Sequence, residues 1–377
     1  WGNSRSNPRV IQSIIHPARN TNQQSAVNMP HSSDRIKFWD SPRADAIGAD
    51  HIEFLKILAQ PTWITIKGRD SSRLRTIITL LHGNEPSGLK AMHHYLKSAA
   101  TPCSNVAFFI ASVDAALFPP LLSHRFLPNE KDLNRCFAPP YDDSQGRLAA
   151  KLLDLLKAEK PEAVIDIHNT SSHSEPFAVA RRDCPEIRKL TSLFTDKLVI
   201  ITKEMGTVLE QDLLAQPILT VEFGGIMDPK ADQLAIEGLE RFVSLQQLSE
   251  DPMRPLQLLP EPIRLELQEG CSISFASTAS AHADVTLPNT LDQLNFARVT
   301  GHTTLGWLGN AGMSALKAED ADGTDVLSDL FIDVDGLLVT RTSMTLFMVT
   351  TDPHIAKRDC ILYLIPASEP DAAAVCT

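Results

Sequence analysis

The sequence predicts an α/β fold, with a mixed, mainly parallel sheet flanked by helices, followed by a small C-terminal β-domain. Two observations predict the sheet: between residues 34 and 250, short β-branched or apolar runs recur, and segments with a helical apolar period separate them. A third observation predicts the β-domain. After Ser249 prolines accumulate, and short alternating strands with turn signals such as Asp335-Gly336 replace the long helical periods.

The length of 377 residues suits two domains, at the usual size of roughly 150 residues each. We expect an α/β domain over residues 34–250 and a β-domain over residues 255–370. Residues 1–33 contain arginines and many Asn, Ser and Gln but no acid, so we expect a flexible N-terminal tail. A transit peptide and an untemplated leader ahead of Met29 both stay open as interpretations of this tail.

The charge and cysteine content exclude several classes of protein. With 35 Lys and Arg against 46 Asp and Glu, the net charge is −11, so we expect no nucleic-acid partner. The six cysteines include no CxxC pair, which favours reduced thiols in a cytoplasmic protein. The most apolar stretch, 106–122, is interrupted by Asp114 and Pro119-Pro120, so we expect no membrane span. A homo-oligomer stays open.

Apolar runs mark the elements of each domain. The predicted strands of the sheet are 63–67, 76–81, 106–112, 163–167, 177–180, 198–202 and 218–223. Apolar residues spaced as on one helical face predict helices over 87–98, 144–157 and about 229–248. The predicted strands of the β-domain are 263–267, 273–276, 330–334, 337–341, 345–349 and 360–365.

Polar residues that can bind a metal ion follow two of the predicted strands. His82 and Glu85 lie three residues apart where a strand ends and a helix begins, and His168 ends another buried strand. Ligands bind at the carboxyl ends of strands in such sheets, and a His and carboxylate set suits zinc with an open coordination position. Asp166, on the same strand face as His168, could orient its ring. A capping histidine with a first-turn glutamate, and a hydrogen-bonded strand end, are the structural alternatives.

A buried acid and a group of arginines complete the pattern. Glu222 lies within an otherwise apolar strand, where an acid is costly unless it is paired or used. Arg125, Asn134 and Arg135 follow another strand, and guanidinium groups bind carboxylates through two hydrogen bonds. A surface ion pair between Arg135 and Asp132 is the alternative here. Together these residue types are those that metal-assisted hydrolysis needs.

Four segments resemble the succinylglutamate desuccinylase/aspartoacylase family, a branch of the zinc carboxypeptidase superfamily. They are His82-Gly-Asn-Glu85-Pro-Ser-Gly88, Asp132-Leu-Asn-Arg135, Asp166-Ile-His168-Asn-Thr170 and Val221-Glu222-Phe-Gly224, in the order of the family. The resemblance implies a zinc-carboxypeptidase-like fold with a zinc-hydrolase catalytic domain over residues 34–250. It also implies a single Zn²⁺ in each chain.

The resemblance also implies a role for each candidate residue. The implied zinc ligands are His82, Glu85 and His168, and the implied general acid/base is Glu222. Arg125 is implied to help stabilise the oxyanion, and the implied substrate-binding residues are Arg125, Asn134, Arg135, Asn169 and Thr170. One feature departs from the family. Aspartoacylases have another arginine shortly before the catalytic strand, whereas residues 207–220 contain none.

The implied reaction is hydrolysis of the amide bond of a small N-acyl amino acid by metal-activated water. Two alternatives stay open at this point. The first is a metallocarboxypeptidase acting on peptides, which an open, elongated cleft would favour. The second is a catalytically silent carboxypeptidase-like binding protein. The remaining histidines are expected to be ordinary, with His93 and His94 on an exposed helix face and His173 undecided.

Overall fold

Nine strands form the large sheet in a computed structural model, which describes residues 35–211, 216–248 and 255–367. The expected tail of residues 1–33 lies outside the described residues. The strands are β1 (Lys37–Asp40), β2 (Thr62–Ile66), β3 (Asp70–Thr79), β4 (Ser104–Ile110), β5 (Ala163–Thr170), β6 (Phe177–Ala180), β7 (Lys197–Ile200), β8 (Ile218–Gly225) and β9 (Gln257–Pro260).

The sheet is mixed and mainly parallel, which confirms the predicted fold class. Its strand order is β1-β2-β4-β3-β5-β8-β6-β7-β9. Only β2 with β4 and β6 with β8 pair antiparallel. The centre of the sheet is the parallel set β4, β3, β5 and β8, whose carboxyl ends meet at one edge. We call this the carboxyl edge.

Helices connect the strands, and three of them, α2, α4 and α6, occur where the apolar periods predict helices, although α6 ends four residues before the predicted bound. They are α1 (His51–Leu58), α2 (Ser87–Ser98), α3 (Val113–Leu117), α4 (Ser144–Glu159), α5 (Pro185–Ser192), α6 (Pro229–Ser244), α7 (Leu327–Leu330) and α8 (Pro353–Arg358). Local residues fix their starts: the Asp143 side chain accepts from Gly146 N at 2.7 Å at the start of α4, and α6 begins at Pro229. Single turns of 3₁₀ helix lie at Leu133–Arg135, Val208–Glu210, Leu291–Leu294 and Gly312–Ala315.

Two smaller sheets make up the C-terminal part of the chain. Their strands are β10 (Ile263–Leu267), β11 (Ile273–Phe275), β12 (Val285–Leu287), β13 (Arg298–Val299), β14 (Thr304–Leu308), β15 (Leu316–Glu319), β16 (Phe331–Val334), β17 (Leu337–Thr340), β18 (Met344–Phe347) and β19 (Leu362–Pro366). Asp335 and Gly336 both have positive φ, of 52° and 78°, and join β16 to β17 in the predicted two-residue turn.

The boundary between the domains stays a prediction. Strand β9 follows the proline-rich segment and yet pairs with β7 in the large sheet. The described residues belong to one compact unit of the chain.

The two faces of the large sheet are covered differently. On one face, α1, α2, α5 and α6 pack against Ile165, Leu219 and other apolar residues. On the other face, which we call the cavity face, α4 packs against β3, β5 and the start of β8. The C-terminal strands cover β6, β7 and β9 there, with Phe347 and Tyr363 against Phe177 and Val199. The candidate site lies on the cavity face between α4 and the C-terminal strands.

No described helix is both long and apolar enough to cross a membrane.

Candidate functional site

A tight turn between β3 and α2 presents His82 and Glu85 at the carboxyl edge. Leu80 has a φ of 55°, which turns the chain sharply after β3. Gly83 packs so closely that an added Cβ would lie 2.6 Å from Ala116 N, and so only glycine fits there. The turn therefore holds both side chains against the sheet, where His82 is 3 % and Glu85 5 % exposed.

The neighbouring strands β5 and β8 supply His168 and Glu222. The two residues are opposite each other in the parallel register of these strands. Asp166 lies two residues before His168, on the same face of β5, and is fully buried. Three elements thus bring the predicted groups to one place.

His82, Glu85 and His168 are in direct contact. The two oxygens of Glu85 are each 2.7 Å from a ring nitrogen: Oε1 from Nδ1 of His82, and Oε2 from Nδ1 of His168. The two Nδ1 atoms are 3.2 Å apart. One atom from each of the three side chains lies within 4.8 Å of the others, so these residues could hold a metal ion.

A carboxylate also contacts the other ring nitrogen of each histidine. His82 Nε2 is 3.1 Å from Asp132 Oδ1, and His168 Nε2 is 2.8 Å from Asp166 Oδ2. Metal-binding histidines usually donate their second N–H to such a group, which fixes the tautomer and makes the ring a better ligand. The predicted contact of Asp166 is present. Asp132 pairs with His82 and Arg125 rather than forming the alternative surface ion pair with Arg135.

The charges of this group shift its protonation equilibria. Burial by itself would raise the pKa of Glu85, but the two imidazoles outweigh it and hold that pKa well below its usual range. Burial would lower the pKa of His168, yet Asp166 and Glu85 raise it well above the ordinary value. Without a metal ion, the site therefore stabilises an anionic Glu85 beside a protonated His168.

Glu222 has the opposite environment. The residue is half-buried, and its Oε2 is shielded from solvent and has no hydrogen-bond partner among the described residues. Burial raises the pKa of Glu222 to about 7, and Glu85 and Asp166 add to the rise while His168 opposes it. A carboxylate of this kind can take up and release a proton near neutral pH.

These residues fit a divalent metal ion by the chemistry of their donors. Two imidazole nitrogens and the carboxylate of Glu85 face one another. The second ring nitrogen of each imidazole contacts a further carboxylate, from Asp132 or Asp166. Oε2 of Glu222, which has no partner among the described residues, belongs to the same site.

All five predicted substrate-binding residues line the cavity, and three of them, Arg125, Asn134 and Arg135, lie between α3 and α4. Arg125 donates from Nε to Asp132 Oδ2 at 2.9 Å and keeps 37 % of its side chain exposed. Asn134 is buried, with Nδ2 3.5 Å from His168 Nε2. Arg135 is exposed and donates to the backbone oxygen of Asn134.

The other two predicted substrate-binding residues are held by the protein itself. Asn169 donates from Nδ2 to Ser87 Oγ and to the Gly224 backbone oxygen, and its Oδ1 accepts from Ser87 N. Its backbone N–H donates to Glu85 Oε2 at 3.2 Å. Thr170 donates from Oγ1 to Ser172 O. Both stay predictions as substrate-binding residues, and the contacts of Asn169 favour a structural role.

A cavity of about 650 Å³ opens over the candidate site on the cavity face. Its lining includes the C-terminal residues Met348, Val349, Thr350, Asp352, His354, Ile355, Arg358, Asp359, Cys360 and Tyr363. This volume is typical of a pocket for a small molecule. The C-terminal part of the chain therefore forms one wall of the cavity.

Sequence reasoning missed several residues of this lining. Arg181 and Lys203 follow the ends of β6 and β7 and line the cavity. They could be found from the sequence only if it were known which face of these strands faces the cavity.

His93 is 8 % exposed and contacts Phe54, so the expectation of an exposed position was wrong. His94 is exposed as expected. His173 is exposed and pairs with Asp228 at 3.5 Å.

Comparison with known families decides the relationship of this chain. Residues 76–244 match the family model of the "Succinylglutamate desuccinylase/Aspartoacylase catalytic domain". The match covers 169 of the 377 residues, and over this segment the chain is similar to that catalytic domain. The matched segment contains His82, Glu85, His168 and Glu222, and the resemblance stated from the four motifs is thus confirmed. No curated protein matches the chain.

Solved structures of succinylglutamate desuccinylases share the fold of this chain at low sequence identity. A succinylglutamate desuccinylase from Vibrio cholerae has a TM-score of 0.52 at 14% identity, covering 85% of this chain and 96% of that chain. One from Vibrio parahaemolyticus has a TM-score of 0.51 at 15% identity, with 78% and 82% covered. A succinylglutamate desuccinylase/aspartoacylase from Rhodobacter sphaeroides has a TM-score of 0.50 at 15% identity, with 81% and 88% covered.

Proposed function

We propose that the protein is a zinc-dependent hydrolase that cleaves the amide bond of N-acyl amino acids. The observation that carries this proposal is the contrast between the two glutamates. Glu85 is shared by two histidines, whereas Glu222 has a shielded oxygen without a partner beside them. A hydrolase needs both, one to hold the metal and one to move a proton.

In this proposal His82, Glu85 and His168 would hold Zn²⁺, and the Nδ1 atoms of the two histidines, which both face Glu85, are the candidate donors. When bound, Zn²⁺ would supply Lewis acidity, which lowers the pKa of a water molecule to about 7 and polarises an amide carbonyl. Asp132 and Asp166 fix the orientation of the two rings through their Nε2 atoms. Asn169 and the turn around Gly83 hold Glu85 in position.

Glu222 moves the proton. Its pKa of about 7 lets it accept a proton from water and return one to the leaving amine at neutral pH. Arg125, whose Nη1 is 3.5 Å from Glu85 Oε1, presents a permanent positive charge beside the metal ligands. We assign to it the stabilisation of negative charge on the amide oxygen.

Substrate recognition falls to side chains that line the cavity. Arg135 and Asn134 would bind the carboxylate of the amino acid, because guanidinium and amide groups donate to carboxylates. The wall formed by 348–360 supports a small substrate. The five described cysteines are all free thiols, which supports a cytoplasmic location.

Peptides are the second candidate substrates, because the cavity extends along the sheet beyond the space that a small amino acid needs. A catalytically silent binding protein is less well supported, since candidates for all three ligands and for the acid/base are present together.

A hydrolysis screen tests the proposal. N-succinyl, N-acetyl and N-formyl amino acids would be incubated with the full chain, with and without a chelator, beside short unmodified peptides. We expect release of a free amino acid from at least one N-acyl compound, abolished by the chelator and restored by Zn²⁺. Cleavage of the peptides alone would transfer the assignment to a carboxypeptidase. Absence of stoichiometric zinc after purification without added metal would favour the silent binding protein.

A further inference from the structure

The cavity has a second end that the proposed chemistry does not use. Arg181 follows β6 and Lys203 follows β7, and both line the same cavity as His82 and His168. We call these two residues the far end.

Strand alternation fixes which way the far end faces. In β6, Val179 belongs to the cavity face, and Arg181 is two residues further along. In β7, Val199 belongs to the same face, followed at intervals of two by Ile201 and Lys203. The strands end at Ala180 and Ile200, so Arg181 and Lys203 lie just beyond these alternating rows, and both belong to the cavity lining.

Strand register gives the distance between the two ends. Strand β6 is antiparallel to β8, with Phe177 opposite Glu222 and Val179 opposite Thr220. Arg181 therefore lies four residues from Phe177, or about 14 Å along the strand at roughly 3.4 Å per residue. The guanidinium stays there, because its Nη1 donates to the backbone oxygens of Ile201, Thr202 and Lys203.

Both cations of the far end lack an acidic partner among the residues that the structure describes. Arg181 contacts only backbone oxygens, and the ammonium of Lys203 has no hydrogen bond or ion pair there. Glu210, an acid of the same wall, already accepts from Met205 N, Gly206 N and Thr207 Oγ1. Glu261, another acid near this end, accepts from Thr202 N and Oγ1 and pairs with neither cation. Two cations without a direct acidic partner at the end of a cavity form a site for an anion.

The middle of the cavity is apolar. Val179, Ile201 and Leu209 line it between the two ends, with Thr220 beside Glu222. A ligand that connects the ends would thus have a polar group at each end and an extended aliphatic chain between them.

We propose that the far end binds a carboxylate, and that the substrate is an N-acyl amino acid whose long acyl chain ends in this carboxylate. The proposal rests on the proposed function, in which the amide bond that is cleaved lies beside His168 and Glu222. The acyl chain then extends along β6 toward Arg181. A succinyl or acetyl group could occupy the site of hydrolysis but would not reach the far end, because the span corresponds to about four residues of extended chain.

Calorimetric binding to the full chain tests this proposal without turnover. Succinate, adipate, suberate and sebacate would be compared with the monocarboxylates of equal chain length. We expect suberate or sebacate to bind about tenfold or more tightly than the matched monocarboxylate, the usual scale for a charge-assisted hydrogen bond. Succinate and butanoate should differ much less.

Three variants assign the effect to the far end. Arg181→Met and Lys203→Met should each remove most of the advantage of the long dicarboxylates. Lys203 has no side-chain partner among the described residues, so its replacement leaves the fold unchanged. Arg182→Met is the matched control, because Arg182 is exposed and is not part of the cavity lining. Equal binding of both acid series at every length, or an equal loss in Arg182→Met, overturns the proposal.

The same compounds separate this proposal from the proposed function. If N-acetyl amino acids are hydrolysed but dicarboxylates show no dependence on length, the far-end site is wrong and the enzyme assignment stands. If dicarboxylates bind with the expected dependence on length but no N-acyl amino acid is hydrolysed, the binding site stands and the enzyme assignment fails.

Discussion

Two parts of the chain each bring a glutamate to the cavity, and the protein holds the two in opposite ways. Glu85, in the turn after β3, has both oxygens in contact with imidazole rings, which lower its pKa. Glu222, near the end of β8, has a shielded oxygen without a partner, and burial raises its pKa to about 7. Two glutamates in one cavity thus have pKa values shifted in opposite directions by their surroundings.

The difference shows that contacts, rather than residue type, assign the roles in this site. A carboxylate that stays ionised suits the binding of a cation, whereas one that titrates near neutral pH suits proton transfer. The predictions below test this division of roles, beginning with the largest expected effect.

Replacing Glu85 by glutamine should abolish metal binding and activity together. The change removes the only anionic member of the predicted ligand set. We expect zinc affinity to fall by more than about 100-fold, which is more than the loss of a residue that only hydrogen-bonds a ligand would cause. Zinc content after dialysis measures the loss. Glu159→Gln, at the exposed end of α4, is the matched control and should keep its zinc. Full zinc occupancy in Glu85→Gln would contradict the assignment.

Replacing Glu222 by glutamine should separate chemistry from metal binding. The amide cannot accept the proton from water, so kcat should fall by about 10²- to 10⁴-fold, the usual contribution of a positioned acid or base. Zinc content should stay at the level of the unmodified protein. Unchanged turnover at full zinc occupancy would rule out Glu222 as the acid/base.

The outer carboxylates should matter less than Glu85 but more than surface acids. Asp132→Asn and Asp166→Asn weaken the contacts that orient the rings of His82 and His168, so we expect zinc affinity to fall by about 10- to 100-fold. Competition with a chelator measures the affinity. The exposed Asp142 provides the control variant Asp142→Asn. If both variants bind zinc as tightly as this control, the two carboxylates do not position the rings.

Zinc affinity should rise with pH between about 6 and 8. Because Asp166 and Glu85 raise the pKa of His168 in the metal-free protein, a proton must leave before Nδ1 can bind the ion. We expect an increase of up to about tenfold per pH unit for one released proton. Calorimetry in buffers of different ionisation enthalpy counts this proton directly. Zinc binding without proton release would show that His168 is already neutral.

The stability of the metal-free protein should change in the opposite direction. The folded-state pKa values of His168 and Glu222 are both raised, so each group stabilises the folded state below its unfolded-state pKa and loses this contribution as pH rises through the folded value. Between pH 6 and 8 the free energy of unfolding should fall by about 1–3 kcal/mol, on the scale of 1.4 kcal/mol per proton and pH unit.

Denaturant titration of chelator-treated protein measures this change. Zinc-loaded protein is the control and should lose less stability over this range, because the metal replaces the proton on His168 and leaves only the contribution of Glu222. A chelator-treated protein that becomes more stable from pH 6 to 8 would contradict the assigned shifts.

Much of the sheet and of the site could be predicted from local sequence. Strand β6, from Phe177 to Ala180, and helix α2, from Ser87 to Ser98, occur at their predicted bounds because apolar periodicity alone defines them. His82, Glu85 and His168 were predicted because they follow buried strands whose carboxyl ends meet at one edge.

The features that local sequence patterns did not predict depend on contacts between residues far apart in the chain. Strand β1 has only four residues, with charged Lys37 and Asp40 at its ends, so no apolar run marks it. The contact of Asp132 with His82 joins residues 50 positions apart in the chain. Arg181 belongs to the cavity only because β6 pairs with β8 in one register. Such relations come from tertiary structure, which local patterns do not encode.

The most direct test of the account is the position of the metal ion itself. Anomalous diffraction at the zinc edge, from crystals of zinc-loaded protein, would locate the ion and its bonded atoms. We expect one ion bonded to Nδ1 of His82, Nδ1 of His168 and the carboxylate of Glu85, with Glu222 beside it and not bonded. An ion at another place, or one bonded through the Nε2 atoms that contact Asp132 and Asp166, would contradict the account.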